Sequence, residues 1–464
     1  MARHLTRSNW LAVVLSSTLM AAIMDEPVLA ADEEGTVAPR GMQFGTRVGV
    51  DYSDNYLHSD TNQVSSYVGI AGFEIGGDHV SGRSELSAYG DLEYQEPFES
   101  SLETDVVGRM AVTGKYEIVP EAFNVTAAGL FTQVRPDLFR PESVNNREDV
   151  FSYAFGPQGR IRLGDSMSAH LDARYTSSNY SVRELDNDTV GGEMVVGHDG
   201  VHESFIGLGA GYYDVGYKQH TDPSAVDYTR EEAFGRLDAN GARTTIRLDL
   251  GYEKVSGDSG DDSGPLVRAN FTRRLSTAFE AFLTYTSEFP VSDSPTIASQ
   301  SAGQTTTVVP GDESVLTAAP RRTKFGAIGL SFVRPRTQAE LSYSHSLENG
   351  VLGTQGERTW QELRGNFTRN FTASALGTLY AARTKEELRD LSPVPVEATE
   401  TTYGAEFEVV LGRKLSVLLT VRRKNRDSEL ATDRYQEFTS GVYVRYGRVD
   451  SSAATGGATA PIGR

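Results

Sequence analysis

The stretch MQFGTRVGVDY at residues 42–52 decides the fold of this chain, because its residues alternate in polarity at every step. Apolar and threonine side chains occupy the even positions, and Gln, Gly, Arg and Asp occupy the odd ones. Successive side chains of a β-strand point to opposite faces, so a period of two predicts a strand with one apolar and one wet face. Similar segments recur at 86–94, 110–118, 169–175, 244–252, 339–343, 403–411 and 415–421.

About twenty such segments follow one another, and the connections between them alternate in length. Short turns fall near Pro120, Gly164, Asn240, Ser276, Pro335, Asn370 and Gly412, and longer polar links at 53–64, 136–149, 257–264, 347–358 and 386–399. Segments of roughly ten residues cross a bilayer at a tilt, and this sorting of loops is typical of outer-membrane proteins. We therefore predict an all-β fold: a transmembrane antiparallel up-and-down β-barrel of the outer membrane with about 20 strands, or 18 as the alternative.

The predicted sheet must close on itself because it lies in a lipid bilayer. Every backbone N–H and C=O inside a bilayer must be paired, and strands meet that demand only when the sheet has no free edge. Side chains do not fill the interior of a barrel of sixteen or more strands, so we expect a wide lumen.

Residues 1–30 have the pattern of an export signal. Arg3 and Arg7 precede an apolar run at 10–23, and residues 28–30 offer a small-residue cleavage site. We therefore expect the mature chain to start at Ala31.

The other boundaries follow from the strand pattern. We expect a short periplasmic N-terminal segment at 31–41, the barrel at 42–450 and a flexible tail, rich in Ala, Gly and Ser, at 451–464. Residues 31–41 are too few for a plug domain, so the loops are the candidates for narrowing the lumen. The longest, at 290–320, is poor in charge.

Composition excludes several classes of function. The chain has a net charge of −19 and no basic cluster with interleaved aromatics, so we expect no nucleic-acid partner. It contains no cysteine, which rules out disulfides and thiolate metal sites. His198 and His202 have metal-like spacing but no third ligand nearby, and we predict neither a metal nor a cofactor.

The wet face of the predicted strands supplies a candidate site. We expect the following residues to line the lumen: Arg47, Asp51, Asp91, Glu93, Arg109, Lys115, Arg160, Arg162, His170, Asp172, Arg174, Arg247, Asp249, Glu253, Glu406, Glu408 and Arg422. Charges of both signs can pair across neighbouring strands and stabilise the wall, or they can form a polar conduit for hydroxylated or ionic solutes. The sequence alone leaves both interpretations open.

Two further patterns indicate an outer-membrane protein. Tyr52, Tyr94, Tyr252, Tyr285 and Tyr343 all lie on the apolar face near the long-loop ends, where an interfacial girdle would contact lipid and lipopolysaccharide. The last strand, TSGVYVRY at 439–446, resembles the C-terminal signal that the barrel-assembly machinery reads. Its matching positions are Gly441, Val444 and Tyr446.

The mature chain is similar to the beta-barrel porin 2 family of outer-membrane proteins. The best-matching pieces are DYSDN at 51–55, LDLGYE at 248–253, RRKNRDS at 422–428 and YQEF at 435–438. Many members of that family are encoded with exopolysaccharide synthesis and export machinery. The resemblance implies a polysaccharide as solute and a periplasmic export protein as partner, and it assigns no residue a role.

Three functions remain in order of preference. The first is an outer-membrane channel that exports an exopolysaccharide, without catalysis. The second is a general diffusion porin for small hydrophilic solutes. The third is a barrel hydrolase or lyase acting on polysaccharide, with His170 and Asp172 as an acid/base pair on one strand face.

Overall fold

The computed structural model describes residues 41–135, 146–201, 204–220, 225–258, 260–290, 321–351, 356–389, 396–412 and 414–447. The strands are β1 (Gln43–Ser53), β2 (Ser66–Ser81), β3 (Ser84–Pro97), β4 (Asp105–Val119), β5 (Phe123–Val134), β6 (Glu148–Arg162), β7 (Met167–Tyr180), β8 (Asn187–Asp199), β9 (Phe205–Tyr217), β10 (Tyr228–Asn240), β11 (Thr244–Gly257), β12 (Gly260–Arg274), β13 (Phe279–Glu288), β14 (Arg321–Arg334), β15 (Thr337–Gly350), β16 (Glu357–Thr372), β17 (Ala375–Arg389), β18 (Val396–Val410), β19 (Leu415–Ser428) and β20 (Tyr435–Tyr446). A 3₁₀ turn at Ala431–Asp433 precedes β20.

Each strand pairs antiparallel with the next, and β1 also pairs with β20. The closing register runs from Thr46 opposite Tyr446 to Ser53 opposite Thr439. The described strands therefore form one closed sheet of 20 strands. The prediction of an all-β up-and-down barrel with about 20 strands is confirmed.

The outward face of the wall is apolar. On β1 the even-numbered side chains Phe44, Val48 and Val50 are 57%, 65% and 42% exposed, whereas the odd-numbered Arg47 points the other way, toward Glu74 of β2. A soluble protein rarely exposes a contiguous apolar surface of this kind, but a barrel embedded in lipid requires one. The chain is an outer-membrane β-barrel, as predicted. No helix in the described part of the chain is long and apolar enough to cross a membrane.

The strands are longer than the sequence indicates, at 10 to 16 residues each. The link predicted at 257–264 is mostly strand, because β11 ends at Gly257 and β12 begins at Gly260. The links predicted at 347–358 and 386–399 are shortened in the same way. A strand that continues beyond the lipid has water on both faces, so its apolar alternation fades while its backbone pairing persists.

A cluster of inward-facing apolar side chains lies at the long-loop end of the barrel. Its buried members come from the ends of strands and the residues that follow them: Val134, Val150, Tyr180, Leu185, Val215, Tyr217, Ala225, Tyr228, Val255, Phe289 and Val351. They span the wall from β5 to β15, so apolar contacts narrow this end of the lumen. The predicted loop at 290–320, the export signal and the C-terminal tail lie outside the described residues, apart from Pro290.

Candidate functional site in the barrel lumen

The inward face of the wall carries the charged residues. Arg47 donates from Nη1 to Glu74 at 2.8 Å and from Nη2 to Glu93 at 2.5 Å, so these side chains from β1, β2 and β3 share one face. Residues opposite each other in an antiparallel pair lie on the same side of the sheet. The register carries this face around the barrel and places on it all the residues predicted to line the lumen: Arg47, Asp51, Asp91, Glu93, Arg109, Lys115, Arg160, Arg162, His170, Asp172, Arg174, Arg247, Asp249, Glu253, Glu406, Glu408 and Arg422.

These residues differ in surroundings. Arg162 and its partner Glu121 lie at the short-turn rim with side chains 73% and 80% exposed. Asp249, in contrast, is 0% exposed and accepts two hydrogen bonds from Arg236 of β10, at 2.8 and 2.9 Å. Wall charges of the second kind are desolvated, so their pairing is a structural requirement.

A charge network on β8 to β13 joins two predicted lumen residues, Asp249 and Glu253, to buried charges that sequence reasoning missed. Arg230, Arg236 and Arg268 are its cations, and Phe234 lies among them, with its ring centre 5.0 Å from the Arg236 guanidinium. Their carboxylate partners at 4 Å or less are Glu193, Glu232, Asp249, Glu253 and Glu288. The alternation of Arg230, Glu232, Phe234 and Arg236 along β10 was the available signal.

A second group, which we call the Glu386 cluster, joins distant parts of the wall. Glu386 on β17 accepts from Arg358 of β16 at 2.9 Å and from Arg426 of β19 at 3.4 Å. It also accepts at 2.8 Å from Arg135, the residue that follows β5. Even by the shorter way round the closed sheet, seven strands lie between β5 and β17: β4 to β1 and β20 to β18. The Arg135 contact therefore crosses the lumen at its long-loop end.

A cavity of about 350 Å³ lies against the strands on either side of the β1–β20 seam. Three of the predicted lumen carboxylates line it, Asp51, Asp91 and Glu93, together with Arg422. The other lining residues are Ser53, Tyr56, His58, Val68, Ile70, Gln95, Val107, Gly108, Arg147, Lys424, Glu437 and Thr439. Most of the residues that line the cavity are polar or charged. Val68 and Ile70 of β2 are apolar, and we call them the floor of the cavity.

His170 and Asp172 do not form an acid/base pair in this structure. Asp172 accepts from Gln158 at 2.6 Å, and Arg174 is 3.9 Å away. The His170 Nε2 atom lies 3.1 Å from the Ser168 hydroxyl, and Ser168 is 0% exposed. Among the described contacts none joins the imidazole to the carboxylate, so this geometry lends no support to a hydrolase or lyase.

The remaining predicted positions fall on both faces. On β20, Val444 and Tyr446 point outward with 49% and 58% of their surface exposed, whereas Gly441 points inward opposite Asp51. Their reading by the assembly machinery stays a prediction.

The two histidines with metal-like spacing are not both described: His198 lies on β8, and His202 lies outside the described residues. In the described ranges no group of three His, Asp or Glu side chains could hold a metal ion.

Comparison with known proteins adds little to this geometry. No family model and no curated protein matches the chain, so its resemblance to the beta-barrel porin 2 family stays a prediction. Similar solved structures include the siderophore receptor PirA from Pseudomonas aeruginosa (13% identity, 89% of this chain and 81% of that one, TM-score 0.38). The PirA structure from Acinetobacter baumannii (10%, 89% and 81%, 0.42) and the ferric-catecholate import receptor Fiu from E. coli K12 (9%, 88% and 82%, 0.39) are others. These TM-scores are too low to carry an argument about function.

Proposed function

We propose that this chain is an outer-membrane channel for a hydrophilic polymer, and that the polymer is an exopolysaccharide. The observation that carries the proposal is the inward face of the closed barrel, which presents charges of both signs from β1 around to β20. A hydroxylated chain can donate to the carboxylates and accept from the guanidinium groups as it passes. The resemblance to barrels encoded with polysaccharide export machinery supports the choice of polymer.

The long-loop end of the lumen favours a gated channel over a permanently open one. The Arg135 contact with Glu386 crosses the lumen there, and the apolar cluster around Val150 and Phe289 narrows the same end. In outer-membrane barrels the long loops face the outside. A channel for a bulky polymer needs such a restriction at rest, since an open lumen would admit small molecules from outside.

Permeability measurements test this proposal. The exported, detergent-purified protein is reconstituted in liposomes and in planar bilayers. We expect slow swelling in small neutral sugars, with rare, large conductance steps under voltage. In the bacterium that encodes the chain, deletion of the gene should leave polysaccharide in the periplasm, and plasmid-borne protein should restore its release.

The second candidate is a general diffusion porin, which the mixed charge of the wall also favours. Two results together would favour the porin over the export channel. Liposomes with this protein would swell in small sugars as fast as those with a general porin, and the deletion strain would release polysaccharide as the wild type does. Absence of any conductance under all voltages would exclude both.

A further inference from the structure

The loop between β1 and β2, residues 54–65, folds onto the inner wall of β20 beside the cavity of about 350 Å³. His58 Nε2 lies 3.1 Å from the Glu437 carboxylate, and the His58 ring stacks on Tyr435 with 4.5 Å between centres. His58 has a φ of +50°, a left-handed conformation that is costly for a residue other than glycine. These two side-chain contacts hold His58, and the part of the loop around it, against β20.

The floor of the cavity is apolar, and one polar group elsewhere in the cavity lining lacks a hydrogen-bond partner. Tyr56 packs against an apolar cluster that includes Val68 and Ile70, and these three residues line the cavity. The buried phenol oxygen of Tyr56 makes no hydrogen bond to any described residue. Burial raises the pKa of this phenol to about 12, so it keeps its proton and remains a donor at neutral pH.

A carboxylate in the lining of the cavity is similarly available. Asp91 of β3 makes neither a hydrogen bond nor an ion pair within 4 Å to another described residue, and Arg109 lies opposite it in the register of β3 and β4. Glu93, by comparison, is held by Arg47 and by Gln95 Nε2 at 2.7 Å. The cavity therefore offers at least one free donor and one free acceptor.

The charge balance of the lining selects the ligand class. Its carboxylates are Asp51, Asp91, Glu93 and Glu437, and its permanent cations are Arg147, Arg422 and Lys424. A charged ligand would meet lining groups of its own sign as well as groups of the opposite sign. A hydroxyl group both donates and accepts, so a neutral polyol can satisfy groups of both signs without bringing an uncompensated charge.

We propose that this cavity binds a neutral sugar unit, with Tyr56 as hydrogen-bond donor, Asp91 as acceptor and the Val68 and Ile70 side chains against the apolar face of the ring. The volume lies within the range of roughly 300 to 1,000 Å³ found for small-molecule sites. This inference rests on the proposed function insofar as the sugar is a unit of the transported polymer, but binding can be measured without transport.

Equilibrium binding to the folded, detergent-solubilised barrel tests it. The neutral probes are glucose, galactose, mannose and their disaccharides, titrated with saturation-transfer NMR, and the charged counterparts are galacturonate and glucosamine. A ligand of this size should bind with a Kd of roughly 1 mM. Removal of one hydrogen bond, in Tyr56→Phe or Asp91→Ala, should weaken binding about 5-fold.

Two further variants make the result decisive. Val107→Phe fills the cavity without removing a polar group and should abolish binding. Glu340→Gln, which removes an inward carboxylate on β15 away from the cavity, should leave the Kd unchanged. Heat-modifiable gel migration verifies that every variant is folded.

The possible outcomes separate this inference from the channel function. Failure of every neutral sugar to bind, tighter binding of galacturonate or glucosamine, or equal loss in Glu340→Gln would overturn the site, even if the barrel conducts. Binding that is lost in the cavity variants supports the site, even if bilayer recordings and polysaccharide release contradict export.

Discussion

The Tyr443 hydroxyl donates to Asp51 Oδ1 at 2.5 Å across the seam where the last strand meets the first. The two residues are 392 positions apart in the chain, and their contact forms only when the barrel closes. The Tyr443 ring leans over Gly49, where a Cβ would lie 2.5 Å from the ring atom Cδ1. Glycine at the seam therefore leaves room for the Tyr443 side chain, whose hydrogen bond to Asp51 joins β20 to β1.

Gly441→Ala should weaken this seam. Gly441 faces Asp51, and an added Cβ would lie 1.8 Å from Oδ1, so the carboxylate must move and lose its bond to Tyr443. A hydrogen bond to a charged group contributes about 1.5 to 3 kcal/mol. We expect the free energy of unfolding in lipid vesicles, measured with urea, to fall by about that amount.

Two comparisons control this seam prediction. Gly129→Ala on β5, where nothing lies within 4 Å of the added Cβ, should change the unfolding midpoint little. In the Asp51→Ala background the cost of Gly441→Ala should shrink, because the closest clash is gone. An equal cost with and without Asp51 would show that the glycine serves another purpose, such as recognition by the assembly machinery.

Arg236→Met should destabilise the barrel more than loss of an exposed arginine. The change leaves Glu193 without this ion pair and leaves Asp249 with only Arg268, at 3.9 Å. Removal of one member of a buried ion pair costs about 3 to 5 kcal/mol. Arg162→Met, at the exposed pair with Glu121, should cost about 0 to 1 kcal/mol. Urea unfolding monitored by fluorescence of Trp360, the one tryptophan beyond residue 30, gives both values. Equal costs would mean that water reaches the Arg236 group freely.

The two-residue period revealed the faces of the wall but not the contacts between its residues. Alternation along β1 was enough to place Arg47 and Asp51 inside and Val48 outside. It could not show that Arg47 binds Glu74, because strand register depends on turns and on packing between strands. The contact of Arg135 with Glu386, 251 positions apart, is beyond any local pattern.

Strand ends were the least predictable part of the fold. The polar run at 257–264 contains Gly, Asp and Ser, residues that favour turns. Yet Lys254 pairs opposite Ser263, and Ser256 opposite Asp261, in a hairpin that continues almost to its tip. Backbone pairing with the neighbouring strand outweighs the weak preference of these residues for turns. A prediction from polarity alone therefore ends the strand too early and makes the loop too long.

Arg135→Ala should open the channel more often. The variant removes the cation that crosses the lumen to Glu386 while Arg358 and Arg426 still neutralise that carboxylate. Loss of about 1.4 kcal/mol from the closed form corresponds to about tenfold more frequent opening in single-channel recordings. Lys254→Ala, at an exposed pair with Asp261 on the outer face, is the control. An opening frequency equal to that of wild type would show that the Arg135 contact does not restrict passage.

Leu248→Arg should test how the wall sits in lipid. Leu248 is near the middle of the outward apolar run from Ile246 to Tyr252 on β11, with inward Arg247 and Asp249 on either side. An arginine facing the bilayer midplane costs about 2 to 4 kcal/mol, whereas the cost falls to about 0 to 1 near the interface. Val182→Arg, in the exposed β7–β8 loop, should therefore cost far less. If Leu248→Arg costs no more than Val182→Arg in vesicles, the hydrocarbon band lies elsewhere on the wall, and the outward face of β11 must be reassigned.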